Sequence, residues 1–315
     1  MFHPFLHALM MMVRGVAVLI PMTANVYAIP SSQLTLTFIP RIVLRSCRIK
    51  LGLGVARGRR KRQNLDELLK VETDLHRRGY RYIIGSDDTG GAGCIAGPVV
   101  VASCCILKPF SSFLWCTTSS SECLVSQSAM RVLNEVNDCK ELTPELRREI
   151  YDTVHYYPNI FAVSIVQRSP SEIDELNLAI VTQFAFAESI EVLADKSKLP
   201  FEETFAVVDG RLSPKLHSSK RKHVEIEEAA LAETQKAFSV RPFVDGDKHV
   251  YTVALASIMA RVEHEMIMMD LHIKYPLYGF DQHFGFGRKD HIEAIHKHGA
   301  IENIHRKSFK QVKGR

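Results

Sequence analysis

The chain has 315 residues, 46% of them apolar, and a formal net charge of +5. That is enough for one large or two ordinary domains with a core that needs no disulfide or metal staples. The charge is uneven: residues 1–65 carry ten Lys and Arg and no acid, which leaves residues 66–315 at −5. Global basic charge is therefore excluded as a basis for nucleic-acid binding, which would need a local basic surface or metal ions. Seven cysteines, at positions 47, 94, 104, 105, 116, 123 and 139, form no C-x-x-C pair and read as reduced, mostly buried thiols.

Residues 1–28 combine few charges, an apolar run at Val16–Ile20 and small residues around Val26-Tyr27-Ala28, which is signal-like. Residues 29–63 are Ser/Thr-rich, then Arg-rich, and end in Arg57-Gly-Arg-Arg-Lys-Arg62, which is transit-like. The expectation is a targeting leader over 1–65 outside the fold, for a plastid with extra membranes, with a mitochondrial presequence as the competing reading. A basic arm with no targeting role is the plain alternative.

Asp66–Arg78 is amphipathic and predicts a short helix. Tyr82-Ile-Ile leads into Gly85-Ser-Asp87-Asp88-Thr-Gly-Gly-Ala-Gly93, and Val99–Ile106 is a second β-run, so the stretch predicts a hairpin around a Gly-rich loop. Residues 109–130, with the lone Trp115, lack a period and read as a surface insertion. Thr143-Pro144-Glu145 starts a helix to about His155, and Ile160–Val166 is a strand. Ser171 is expected to cap one long helix through about Ala194. Phe205–Val208 is a strand ending at Asp209-Gly210, and residues 211–239, with a basic patch at Lys215–Lys222, form a second insertion. Arg241–Val244 is a strand running into Asp245-Gly-Asp247. Helices follow over Tyr251–Lys274 and near Lys289–His298. The order predicts an α/β fold: a mixed β-sheet flanked by helices, with a C-terminal helical extension.

Carboxylates recur where strands end: Asp87-Asp88, Asp209, and Asp247 or Asp245. Adjacent strand residues point to opposite faces, so for Asp87 and Asp88 to act together the strand must end there, which the following glycines allow. Converging carboxylates repel one another unless a hard, oxygen-liganded divalent cation lies between them. Taken alone, Asp87-Asp88 also reads as a solvated acidic turn, and Asp209-Gly210 as an ordinary turn. His283, His291, His296, His298 and His305 suggest a metal cluster at first sight. His291, His296 and His298 form no i, i+4 pair and are expected to be mostly surface or capping residues. Phe280, Phe284 and Phe286 favour a core role over a stacking platform.

Seven motifs in order resemble those of ribonuclease HII, the type 2 ribonuclease H family, over about residues 80–312. They are Gly85-Ser-Asp-Asp-Thr-Gly with Ala96-Gly-Pro-Val99, Asp138-Cys-Lys140-Glu-Leu142, Glu172-Ile-Asp-Glu-Leu-Asn177, Val208-Asp209-Gly210, Gly246-Asp247 with Ala256-Ser-Ile-Met-Ala-Arg261-Val, Tyr275-Pro-Leu-Tyr-Gly-Phe280, and Ile304-His-Arg-Lys-Ser-Phe309. The resemblance implies a ribonuclease H-like fold. It also implies a catalytic and metal-binding set of Asp87, Asp88, Asp209 and Asp247, with two Mg²⁺ or Mn²⁺ ions for in-line displacement at phosphorus. Implied substrates are RNA–DNA hybrids and duplex DNA carrying ribonucleotides, cut to leave 5′-phosphate and 3′-hydroxyl ends. The backbone of Gly90, Gly91 and Gly93 would approach a ribose 2′-OH, the group that marks RNA. Phe286 would stack on a sugar, and Lys140, Arg261, Arg288 and Arg306 would contact phosphates.

This chain departs from the family pattern in several places. Asp88 stands where the family has Glu, Gly90-Gly-Ala-Gly93 replaces Gly-Arg-Gly, and Phe284 and Phe286 replace Lys and Tyr. Cys139 replaces a Ser and Arg261 a Lys. The alternative implied by these departures is a catalytically weakened module that binds hybrids. The run Ala96-Gly-Pro-Val-Val100 is similar to the bacterial single-chain form, which implies a monomer, with no membrane contact in the mature protein.

Overall fold

The computed structural model describes residues 65–108, 125–210 and 239–314, and a pair of two-residue antiparallel strands, Met12–Val13 with Val16–Ala17. The rest of the leader over 1–65, and most of both insertions (109–124 and 211–238), lie outside the described residues.

The main body is built on five strands: β1 (Tyr82–Thr89), β2 (Val99–Ile106), β3 (Phe161–Arg168), β4 (Thr204–Asp209) and β5 (Ser239–Phe243). Their order across the sheet is β3-β2-β1-β4-β5. The pairs β1–β2 and β2–β3 are antiparallel, whereas β1–β4 and β4–β5 are parallel. All eight residues of β2 are buried, as expected for a strand covered on both faces. Val100, Ala102 and Cys104 pack into one apolar layer, and Val99, Val101 and Cys105 into the other.

Helices cover both faces. In chain order they are α1 (Leu65–Leu68), α2 (Lys70–Arg77), α3 (Gln127–Leu133), α4 (Pro144–Tyr156), α5 (Pro170–Leu176), α6 (Leu178–Ser197), α7 (Gly246–His249), α8 (Tyr251–Lys274), α9 (Phe280–His283) and α10 (Lys289–His298). The α8 helix packs with α3 and α4 on one face, and α5 and α6 cover the other. A C-terminal cluster around Met268, Phe280, Ile295 and Ile304 forms a smaller core. Among the described residues no single helix is long and apolar enough to cross a membrane.

The helix expected from Ser171 differs from the sequence reading in two ways, and the last strand starts at Ser239, two residues earlier than expected. The N-cap is Ser169, not Ser171: Glu172 N–H donates to the Ser169 hydroxyl, and the Glu172 carboxylate accepts from Ser169 N–H, a capping box. The single long helix is two, because Asn177 takes φ 82° and its side chain caps α6 by accepting from Ile180 N–H. In addition, the last residues read as the first insertion enter the fold. Val125 is buried and Ser126 caps α3, whose Ala129 and Met130 join the core.

The contact that places the site is between β1 and α8. A Cβ added to Gly85 would lie 2.2 Å from the backbone of Thr252 and Val253, so only glycine lets the helix start this close to the strand. Buried Glu72, from α2, accepts from Thr252 N–H at 2.9 Å and so caps the α8 N-terminus.

Candidate active site

The parallel strands β1, β4 and β5 finish at one edge, and three carboxylate-bearing segments meet there. The β1 strand ends at Thr89, one residue past the aspartates where the sequence reading placed its end, and both lie within its last paired residues. Asp87 pairs with Ala102 and Asp88 with Val101 inside the ladder. The pleat turns Asp87 inward, where it is 6% exposed and its carboxylate is hydrogen-bonded by Ser257 of α8. Asp88 points toward the Gly-rich loop, with its Oδ2 3.4 Å from where a Cβ on Gly91 would stand. What unites the two is Asp209, at the end of the neighbouring β4, whose charge acts on both.

Asp209 is held by Gly246 N–H, which donates to its Oδ1 at 2.6 Å. Asp247 follows in the first turn of α7, not at a strand end as expected, and is 4% exposed. Asp245 turns away with a left-handed φ of 56° and pairs with Lys248 in solvent, so the structure selects Asp247 for this edge. Lys140 Nζ donates to Asp247 Oδ2 at 3.2 Å and lies 3.9 Å from buried Asp138.

Burial first, and mutual repulsion second, disfavour the charged forms in this cluster. Burial, then Asp209 and Asp88, push the Asp87 carboxyl well above the usual range. Burial and Asp209 push Asp88 up to about 6, against a smaller opposing effect of Arg306. Asp209 is also raised, chiefly by burial. A carboxyl with a raised folded-state pKa holds its proton more tightly in the native protein. Its stabilising contribution is therefore full below about pH 4 and is lost as pH rises through 6. Thermal melts in chelator should accordingly show the stability gain of Asp88→Asn over the parent growing as pH rises from 4 to 6 and levelling off above that range. Parallel curves would contradict this electrostatic assignment.

The donor set is oxygen-only and anionic, which suits a hard divalent cation. As the side chains stand, no group of three or more His, Cys, Asp or Glu among the described residues is arranged to hold a metal ion. Among the described residues the counter-charge paired with Asp247 is Lys140, at 3.2 Å.

The Gly-rich loop closes one side. Gly90 is buried with φ 79°, Gly91 is half-buried and Gly93 is exposed. Arg306, read from the sequence as a phosphate contact, is instead fully buried behind the loop. Its Nε donates to Gly97 O, Nη1 to Gly91 O and Cys94 O, and Nη2 to Gly90 O and Gly97 O, at 2.6–3.1 Å. All five donors are used, so none remains for a phosphate. In a trans peptide the N–H lies opposite the C=O. Drawing the carbonyls of Gly90 and Gly91 inward therefore turns the N–H groups of Gly91 and Ala92 outward. Beneath the loop sits His264, fully buried and close against Gly90, kept neutral by burial, with a pKa pushed down to about 3.

Arg261 and Phe286 flank the loop. The Arg261 guanidinium lies 5.7 Å from the Phe284 ring centroid and 5.8 Å from that of Phe286, and its Nε donates to Glu265 at 2.7 Å. Glu265 also accepts from Arg147, which donates to Cys139 O and Leu142 O. The segment carrying Lys140 is thus tied to the two phenylalanines, a link the sequence reading did not contain. Phe280 is core, while Phe284 and Phe286 are half-buried. Arg288 is exposed and pairs with Asp290 at 3.3 Å.

His283, His291 and His305 are buried, correcting the surface or capping role expected of His291. Ser257, His264 and Glu265 were missed, though all fall on α8 at three- to four-residue steps from Arg261, a spacing that places them near it.

A mixed sheet flanked by helices, with acidic groups at its parallel strand ends, defines a ribonuclease H-like fold. Comparison with known proteins narrows the class. The family model described as Ribonuclease HII matches residues 121–312. A ribonuclease HII of Fusobacterium nucleatum is 32% identical over 245 residues, covering 78% of this chain and 93% of that protein. One from Caldicellulosiruptor bescii is 30% identical over 244 residues, covering 78% and 94%. The crystal structure of Bst-RNase HIII in complex with Mn²⁺ shares the fold, with a TM-score of 0.54 at 17% identity over 76% of this chain and 70% of its own. The chain belongs to the ribonuclease HII family and is an endoribonuclease, a phosphodiester hydrolase.

Proposed function

We propose that this chain uses two divalent metal ions to cleave the RNA strand of RNA–DNA hybrids and to nick 5′ to ribonucleotides embedded in duplex DNA. The observation that carries the reading is the carboxylate cluster beside the outward-turned amides of the Gly-rich loop. Asp87, Asp88, Asp209 and Asp247 would hold the ions; the pKa values of Asp87, Asp88 and Asp209 are raised first by burial and then by neighbouring carboxylates, a repulsion that cations would relieve. Bound there, Mg²⁺ or Mn²⁺ would supply a nucleophilic water near neutral pH and charge stabilisation at phosphorus.

The remaining roles fall to the chain itself. The amides of Gly91 and Ala92, turned away from Arg306, would donate to a ribose 2′-OH, which DNA lacks. The Phe286 ring would support the adjoining sugar. Arg261, oriented by Glu265, and exposed Lys140 would hold phosphates without reading sequence. Cleavage would leave 5′-phosphate and 3′-hydroxyl ends, from a monomer.

A second reading, binding without cutting, is favoured by one observation: the Lys140 ammonium lies against Asp247 where positive charge is needed. A labelled uniform RNA–DNA hybrid separates the two. Cleavage that appears on adding Mg²⁺ or Mn²⁺ and stops in chelator supports the nuclease. Undiminished binding without products in either metal supports the binder. Residues 1–65 would direct import into an organelle, a plastid rather than a mitochondrion. A fluorescent fusion of that segment that stays in the cytosol would argue against it.

A further inference from the structure

We propose that His291 and His305 are positioning residues for Phe286: a line of neutral imidazoles running from Ile301 to the Phe286 carbonyl fixes where that ring stands beside the Gly-rich loop. The inference rests on the reading of Phe286 as a sugar contact.

The proton positions follow from one fixed end. Ile301 N–H donates to His305 Nδ1 at 2.8 Å, so that nitrogen is an acceptor and the His305 proton sits on Nε2. His305 Nε2 lies 3.2 Å from His291 Nε2, and two ring nitrogens in contact share one proton. His305 is therefore the donor and His291 Nε2 the acceptor. That leaves the His291 proton on Nδ1, which donates to Phe286 O at 2.9 Å. Both rings are fully buried, and burial pushes their pKa values down to about 3 and 4, so neither gains a second proton near neutrality.

The segment receiving this line needs an outside anchor. Phe284 and Gly285 take consecutive left-handed φ values of 46° and 82°, a conformation unfavourable for a phenylalanine. The turn is held by pairing with the Gly-rich loop: Gly285 O accepts from Ile95 N–H, and Gly287 N–H donates to Gly93 O. Phe286 itself is fixed at both backbone groups. Its N–H donates to His283 O, and its C=O accepts from Arg288 N–H and from His291. His283 stacks on His291, with ring centroids 4.1 Å apart. The result sets the Phe286 ring 3.1 Å from where a Gly93 Cβ would be, against the loop that carries the outward amides. Loss of the His291 donor would leave Arg288 N–H as the remaining partner of that carbonyl and loosen the ring from the loop.

The test is a cycle on full-length protein, with a duplex carrying one ribonucleotide as substrate. Phe286→Ala should raise KM about tenfold with a smaller change in kcat, and His291→Leu should do the same. The double variant should be no worse than Phe286→Ala alone, because both changes remove one function. His291→Asn, whose amide can still donate to the Phe286 carbonyl, should recover most of the loss. His305→Leu breaks the far end of the line and serves if His291→Leu does not fold. Amide exchange at Gly287 should speed up in the Leu variants and not in His291→Asn. Wild-type KM and unchanged Gly287 exchange in the folded Leu variants, or multiplied KM effects in the double variant, would overturn the relay. Unchanged KM in Phe286→Ala would instead remove the sugar-contact reading, with Gly287 exchange still judging whether the imidazole line holds the segment.

Discussion

Asp87→Asn is expected to abolish cleavage, by at least three decades in rate, while the protein stays folded and binds hybrid substrate. Asp87 is buried, hydrogen-bonded by Ser257, and raised by burial and by both Asp209 and Asp88. The amide keeps an oxygen to accept Asp88 N–H, now bonded at 2.7 Å, so local geometry should survive. What it removes is the charge. Three decades correspond to about 4 kcal/mol, a reasonable loss when charge stabilisation at phosphorus disappears. Without metal the variant should melt higher than the parent, because a buried, mutually repelling carboxylate has gone. A variant that cuts within tenfold of the parent would remove Asp87 from the chemistry.

Arg306→Ala should be among the most destabilising single changes in the chain, at about 4 kcal/mol. It strips five charge-assisted hydrogen bonds from four buried or part-buried carbonyls and leaves those groups without the partner that organises the loop. Arg306→Lys should rescue little, since an ammonium has three donors and no planar fork. The phosphate-contact reading predicts something different: an unchanged melting temperature and a shallower salt dependence of hybrid binding, by about one in slope. Melting curves and salt titrations on the same variant therefore decide between the two roles.

The difference between those roles shows what the sequence could carry. Elements with local signals were legible. Thr143 and Pro144 start α4, Leu146 N–H donates to Thr143 as capping chemistry requires, and α8 spans Tyr251–Lys274 as read. The meeting of Asp87, Asp88 and Asp209 at one sheet edge was legible because they stand near the ends of neighbouring strands, whereas Asp247 comes from the first turn of α7. Residue chemistry alone left Asp245 and Asp247 open and the family register favoured Asp247; the left-handed turn at Asp245, which pairs with Lys248, agrees with that choice. Arg306 was misread because its partners lie 209–216 residues away, and an arginine in a basic motif looks the same whether it faces phosphate or a wall of carbonyls. His291 was misread for a similar reason. Spacing along one helix says nothing of His305, which arrives from beyond that helix. The break at Asn177 was hidden because an apolar stripe can run across a left-handed residue without losing its pattern.

The most direct measurement uses a DNA duplex carrying one ribonucleotide beside the matching all-DNA duplex, each tested in Mg²⁺ and in Mn²⁺. The expected result is a single nick 5′ to the ribonucleotide, leaving 5′-phosphate and 3′-hydroxyl ends, and an intact control duplex. Equal cutting of both duplexes would show that the Gly-rich loop does not read the 2′-OH. Binding of the ribonucleotide duplex with no nick in either metal would show that Lys140 and the shortened acid at Asp88 have left a binder in place of a nuclease.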